Sequence, residues 1–269
     1  VQNLSLTPGL GKKGRFAKVS HGKMRGGRIA GNERSVRKAR RWTMSVVTDQ
    51  IEKTGLQFFG MMMASISHEI KNVLAIINEN AGLIKDLTHM AKQGAPLNIE
   101  RIDTLADRFG KQVVRADRII QNMNRLSHSV DEPVKQVDAC EILELTVSLS
   151  NRFASMRSVA IDLLLPDSPV TMTTSPFFLN NLLWFCLDYA MDVAGAEKVV
   201  KINCQKDASG ISVHFTELHN LVEIPEKPLF NEQGKAVLNF LNAELKIDEK
   251  RHSVAIILPS RLDHLEADG

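Results

Sequence analysis

The sequence predicts a chain of α plus α/β class: an antiparallel helical hairpin that pairs with a second copy into a dimeric four-helix bundle, followed by an α/β sandwich. Three observations carry this expectation. Apolar residues recur at heptad spacing through two long runs, a Gly/Pro break separates the runs, and beyond Asp138 the pattern changes to short strands alternating with helices.

The first 45 residues stand apart. They hold twelve Lys and Arg against Glu33 alone, so with a formal net charge of +3 over 269 residues the remainder is net acidic. Rich in glycine and without apolar periodicity, this basic extension is expected to be disordered on its own. Alternatively it lies upstream of the true start, since the sequence opens on Val and Met44 offers an initiator. Clustered cations can neutralise phosphates, but an over-extended reading frame is the simpler reading, and nucleic acid is not an expected partner. No run of eighteen uninterrupted apolar residues and no secretory leader are present, which predicts a cytoplasmic protein without a membrane partner. Cys140, Cys186 and Cys204 have no metal or redox spacing and are expected as small buried hydrophobes.

Residues 46–132 carry the heptads. Met63, Ile70, Ile77, Ile84 and Ala91 form one row, and Ile66, Val73, Asn80 and Leu87 the other, with Asn80 the polar exception. In the break "KQGAPLN", Gly94 ends the first helix, Pro96 prevents its continuation and Asn98 caps the second. The period then resumes with Ile102, Phe109, Ala116, Met123 and Val130, beside Leu105, Gln112, Ile119 and Leu126. A lone hairpin cannot bury such seams, so two copies are expected to pair.

Within the first run stands "SISHEIKNVLAIINEN". His68 falls midway between the seam residues Ile66 and Ile70, on the outward side, and Asn72 lies four residues on over the same face. His68 is therefore expected to be exposed, with Glu69 beside it to polarise the imidazole. A zinc-protease H-E-x-x-H is excluded, because position 72 is Asn. The other histidines, His21, His89, His128, His214, His219, His252 and His264, have no ligand spacing, and no metal site is expected.

"SHEIKN" opening an apolar helix resembles the H-box of sensor histidine kinases, on the dimerisation and phosphoacceptor hairpin of that family. The resemblance implies that His68 accepts a phosphoryl group, that Glu69 is its base, and that Asn72 can position a water against a partner's phosphoaspartate. Val73 departs from the family's usual Pro, which predicts a helix without the kink below the histidine.

After "DEPVKQVDAC", Asp138 and Glu141 form a capping box opening a helix to about Met156. "VAIDLLLP" reads as a strand, and "SPFFLNNLLWFCLDYAMD" as a helix with Ser175 as cap and Pro176 at its first position. Strands "KVVKINCQK" and "ISVHF" are joined by Asp-Ala-Ser-Gly; a short helix near Gly234 to Ala243 precedes strands "AELKID" and "SVAIILP". This predicts a mixed sheet covered by helices on one face over residues 137–262, with 263–269 as a tail.

The order resembles the ATP-binding domain of histidine kinases, so the resemblance spans Met44 to about Arg261. That family holds Mg²⁺ with a helix Asn, adenine with an Asp, and phosphates with a glycine-rich lid. Here Tyr189 stands at the Asn position and Phe185 one turn before it; "TELHNLVEIP" replaces D-x-G-x-G; and Gly234 is alone in the lid. Reaching Asn180 or Asn181 instead would displace the helix's apolar face. A degenerate nucleotide site with no cofactor bound by this chain is expected.

The phosphoryl group would then come from a response-regulator receiver domain, which supplies its own Mg²⁺. The resemblance points to a kinase-derived histidine phosphotransferase, homodimeric, relaying between receiver aspartates through His68, with an upstream hybrid kinase as a candidate further partner. The alternatives are a divergent kinase that autophosphorylates His68, a receiver phosphatase using Asn72, and a pseudokinase scaffold.

Overall fold

The computed structural model describes residues 29–207 and 210–262, with side chains described from 49 onward. Helix α1 (Ile29–Lys92) and helix α2 (Ile99–Ser127) form the hairpin. The break behaves as its residues predict: Gly94 takes φ +93, and Asn98 Oδ1 accepts from Arg101 N at 2.9 Å. Helix α1 begins at Ile29, within the basic extension. Arg, Lys and Ala, frequent between 29 and 41, are strong helix formers. Residues 1–28 and the tail at 263–269 lie outside the described residues.

On the hairpin, Ile66, Val73, Asn80, Leu105 and Leu126 are buried. Helix α1 runs unbroken through Val73, where the absent Pro leaves the backbone amide free to bond.

A helical turn at His128–Val130 leads into strand β1 (Lys135–Asp138), helix α3 (Ala139–Arg157), strand β2 (Ala160–Leu164), strand β3 (Thr171–Thr174) and helix α4 (Pro176–Asp192). Strands β4 (Val199–Asp207) and β5 (Gly210–Thr216), helix α5 (Glu232–Phe240), and strands β6 (Glu244–Asp248) and β7 (Ser253–Leu258) complete the order. The main sheet runs β2-β4-β5-β7-β6, with β2 parallel to β4 and the other neighbours antiparallel. Its pleat separates the faces. Ile202 and Cys204 oppose Phe215 and Val213, which oppose Val254 and Ile256, all buried, while Lys201, Asn203, Gln205 and His214 alternate onto the other face.

Two features depart from the sequence reading. Strands β1 and β3 form a separate two-stranded sheet, with Lys135 opposite Thr174, which four polar-rich residues on each side do not announce. Ser175 precedes α4 but makes no side-chain cap bond. Asp138, by contrast, caps α3: its Oδ1 accepts from Cys140 N at 2.9 Å and from Val170 N at 3.0 Å. The second bond ties the helix start to the segment before β3.

From Ser45 onward the chain forms one compact unit, and aromatic residues hold its halves together. Phe58 of α1 packs edge-on against Phe177 of α4 at 5.6 Å; Phe177 meets Phe178, and Phe178 meets Phe240 of α5 at 4.6 Å. Gly55 belongs here, since a Cβ would press on the rings of Phe177 and Phe178. Ile51, Phe58, Met62 and Ile66 thus join the core of the α/β domain.

Candidate functional site

His68 is exposed, and so is Asn72, one turn on along the same face of α1. The inward row of this helix segment carries Met62, Ser65, Ile66 and Val73, all buried; His68 stands off that row, leaving its imidazole open to a macromolecular partner. Glu69 has turned the other way. Consecutive helical residues diverge by about 100°, and no hydrogen bond joins Glu69 to His68. The carboxylate is instead half-buried within the field of Arg115 on α2 and Arg152 on α3. Burial raises its pKa above the ordinary carboxylate value, and the two guanidiniums pull the other way. Sequence adjacency to a histidine could not reveal this pairing, which depends on where α3 docks.

The second site is the place where the resemblance puts a nucleotide. Tyr189 is 1% exposed. Its hydroxyl donates to Val222 O at 2.8 Å and accepts from Val222 N at 3.3 Å, and its ring packs edge-on against Phe230 at 4.8 Å. The segment after β5 is thereby drawn onto α4 by a residue that cannot ligate a cation as an amide does. Phe185, one turn earlier, is buried too. Asn180 is fully engaged, accepting from Thr146 Oγ1 at 3.0 Å and donating to Pro176 O at 2.9 Å.

Gly234 has a structural task. A Cβ there would collide with the carbonyl oxygens of Pro228 and Leu229, and its amide donates to Pro228 O at 2.8 Å. The neighbouring amides of α5 are also engaged: Gln233 N donates to Asn231 Oδ1 and Lys235 N to Asn231 O. A helix start whose amides are satisfied internally offers no cradle to a phosphate.

Charge completes the closure. Arg157 and Lys227 bracket Asp188 and Asp192: Arg157 Nη2 lies 2.7 Å from Asp188, Arg157 Nε 2.8 Å from Asp192, and Lys227 Nζ 2.8 Å from Asp188. Two cations meet two anions, so Arg157 and Lys227 are both committed within the protein. At the end of β5, Glu217 adopts φ +69 and accepts from Lys201 Nζ at 3.0 Å, a bond that lowers its pKa. Its other oxygen meets His219, which stacks on His252 at 4.4 Å. The residues present at these positions do not fit a nucleotide triphosphate. The sequence drew attention to Tyr189 and Gly234, but the partners of Tyr189 and the ion network were beyond it.

No group of three or more His, Cys, Asp or Glu able to hold a metal occurs among the described residues, and none of their helices is long and apolar enough to cross a membrane. All three cysteines are buried, with the Cys204 thiol pushed up to about 12, chiefly by burial.

No family model and no curated protein matches the sequence. Among solved structures, the Acinetobacter baumannii histidine kinase AdeS aligns over 72% of this chain and 98% of its own, at 13% identity and a TM-score of 0.40. The chain resembles sensor histidine kinases. The catalytic domain of histidine kinase ThkA aligns over 49% of this chain and 100% of its own, at 11% identity and a TM-score of 0.39. For the cytoplasmic segment of histidine kinase QseC the figures are 55% and 95%, 19% identity and 0.36.

Proposed function

We propose that this chain is a two-component signalling protein that relays a phosphoryl group between receiver-domain aspartates through His68, without using ATP. The observation that carries the reading is the contrast between an exposed His68 and a nucleotide place filled by Tyr189, Val222 and Phe230. In the forward step the unprotonated ring nitrogen of His68 attacks phosphorus in line. An N–P bond forms, the acyl O–P bond of the phosphoaspartate breaks, and the receiver's carboxylate leaves with its charge stabilised by the receiver's own Mg²⁺. Because Glu69 lies in the field of Arg115 and Arg152 and makes no bond to His68, the imidazole N–H proton passes to solvent as the N–P bond forms. Transfer to a second receiver is the reverse reaction.

A homodimer belongs to this reading. The seam residues Ile70, Ile77 and Ile84 are only half-buried, and Leu74, Val113 and Ile120, each one position beyond a seam residue, are exposed, an apolar surface that a second hairpin would cover.

The test mixes the chain with labelled ATP and, separately, with a set of phosphorylated receivers, for wild type and His68→Ala. Label reaching wild type only from a receiver, and never reaching His68→Ala, supports the relay. Label arriving from ATP alone establishes a divergent autophosphorylating kinase instead. Receiver dephosphorylation that survives His68→Ala but not Asn72→Ala indicates a phosphatase, and no transfer in any arm leaves a pseudokinase scaffold.

A further inference from the structure

A groove of about 800 Å³ lies where the end of α2 meets β1 and the start of α3. Its apolar lining includes Val137 and Ile142, and its cations are Arg125, His128 and Lys135. These cations are incompletely matched. Arg125 Nη2 donates to the backbone carbonyl of Glu141 at 3.1 Å and, among the described residues, meets no carboxylate. Lys135 reaches Glu132 only at 3.9 Å, while His128 pairs with Asp131 at 2.8 Å. Two acids also line the groove: Asp138, whose Oδ1 is committed to two backbone amides, and the exposed Glu141.

The last described residues lead toward this groove. Thr173 N donates to Ser260 O and Leu262 N to Thr173 O, so residues 260–262 run parallel to β3 along its free edge. They therefore leave in the direction of Thr174 and Pro176. Lys135 stands opposite Thr174 on β1, and Pro176 itself lines the groove. Leu262 is buried, which fixes the point of departure. Next in sequence come Asp263, His264, Leu265, Glu266, Ala267, Asp268 and Gly269, three carboxylates around one large apolar side chain. Strand β1 lies two strand spacings from residues 260–262, about 10 Å, which three or four extended residues span. The acidic segment is thus long enough to reach both Lys135 and Arg125.

We propose that residues 263–269 dock in this groove, Leu265 covering Val137 and Ile142 and the carboxylates meeting Arg125 and Lys135, so that the segment straps the end of the hairpin to the α/β domain. Arg125 belongs to α2 and Lys135 to β1, so one strap bridges the two parts. The inference stands apart from the phosphoryl relay.

Hydrogen exchange of the full chain, read by mass spectrometry over a dilution series, tests the strap, with circular dichroism as a check on folding. Covering one leucine and closing two exposed ion pairs corresponds to about tenfold or more protection of the amides of 264–268 over an unstructured peptide. The triple variant Asp263→Asn, Glu266→Gln, Asp268→Asn should lower that protection by about threefold or more, and so should Lys135→Glu. Salt at about 0.5 M should act on wild type in the same direction. The triple variant changes only residues outside the described core, so a folding defect cannot imitate lost docking. Three results would overturn the proposal: wild-type amides at 264–268 that exchange as freely as an unstructured peptide, protection indifferent to both the triple variant and Lys135→Glu, and protection that grows with protein concentration, which would seat the segment on a second copy.

Discussion

The hairpin and the α/β domain treat their functional positions in opposite ways. On α1 the helix buries Ile66 and Val73 and holds His68 outside, so the imidazole contributes almost nothing to the core. On α4 the residue at the corresponding point of interest, Tyr189, is enclosed and bonded to Val222 at both its amide and its carbonyl. An exposed imidazole costs little stability to keep; an open cleft must be held against the hydrophobic effect. When a Tyr enters, the cleft becomes core.

The comparison breaks most readily at Tyr189. Tyr189→Ala should cost about 3–5 kcal/mol by denaturant unfolding, as for other large buried aromatics, whereas His68→Ala should stay within about 0.5 kcal/mol. Equal effects would erase the distinction. Asp138→Ala removes the acceptor for two amides and should cost about 1–2 kcal/mol in the same measurement. Tyr189→Phe keeps the ring and loses the hydroxyl; about 1 kcal/mol is expected, with faster hydrogen exchange at the Val222 amide. Unchanged exchange would mean that the hydroxyl does not hold that segment.

The smallest effect sharpens the hairpin side. Glu69 binds its proton more tightly folded than unfolded, because burial outweighs Arg115 and Arg152. Its contribution is fully present below the unfolded pKa and is lost as pH rises through the raised folded value. Glu69→Gln, which stays neutral, should therefore gain stability relative to wild type as pH rises from the ordinary carboxylate pKa through the raised folded one, read as melting temperature. A difference that is flat with pH would show the carboxylate to be better paired than its burial implies.

Much of this is legible in the residues alone, for local reasons. Gly94 and Asn98 act within one turn of where they stand, and the heptads around His68 set its outward direction by angular spacing alone. The strands of the main sheet announce themselves by apolar alternation and the Asp-Ala-Ser-Gly turn. Strands β1 and β3 do not, since Lys135–Asp138 and Thr171–Thr174 pair only because α3 returns the chain between them. Adjacency makes Glu69 a neighbour of His68 along the chain, but helical geometry directs it toward α2 and α3.

The sequence by itself determined the hairpin, its loop, the outward histidine and the phenol at Tyr189 on an apolar helix, because each depends on the identity and spacing of residues along one element. Only the tertiary structure decided what fills the gap. Tyr189 meets Val222, Lys227 reaches back to Asp188, and Phe58 meets Phe177 across separations that no local period encodes. Those contacts form when packing brings distant elements together, and the cost of leaving a buried cleft, hydroxyl or charge unmatched selects among the arrangements.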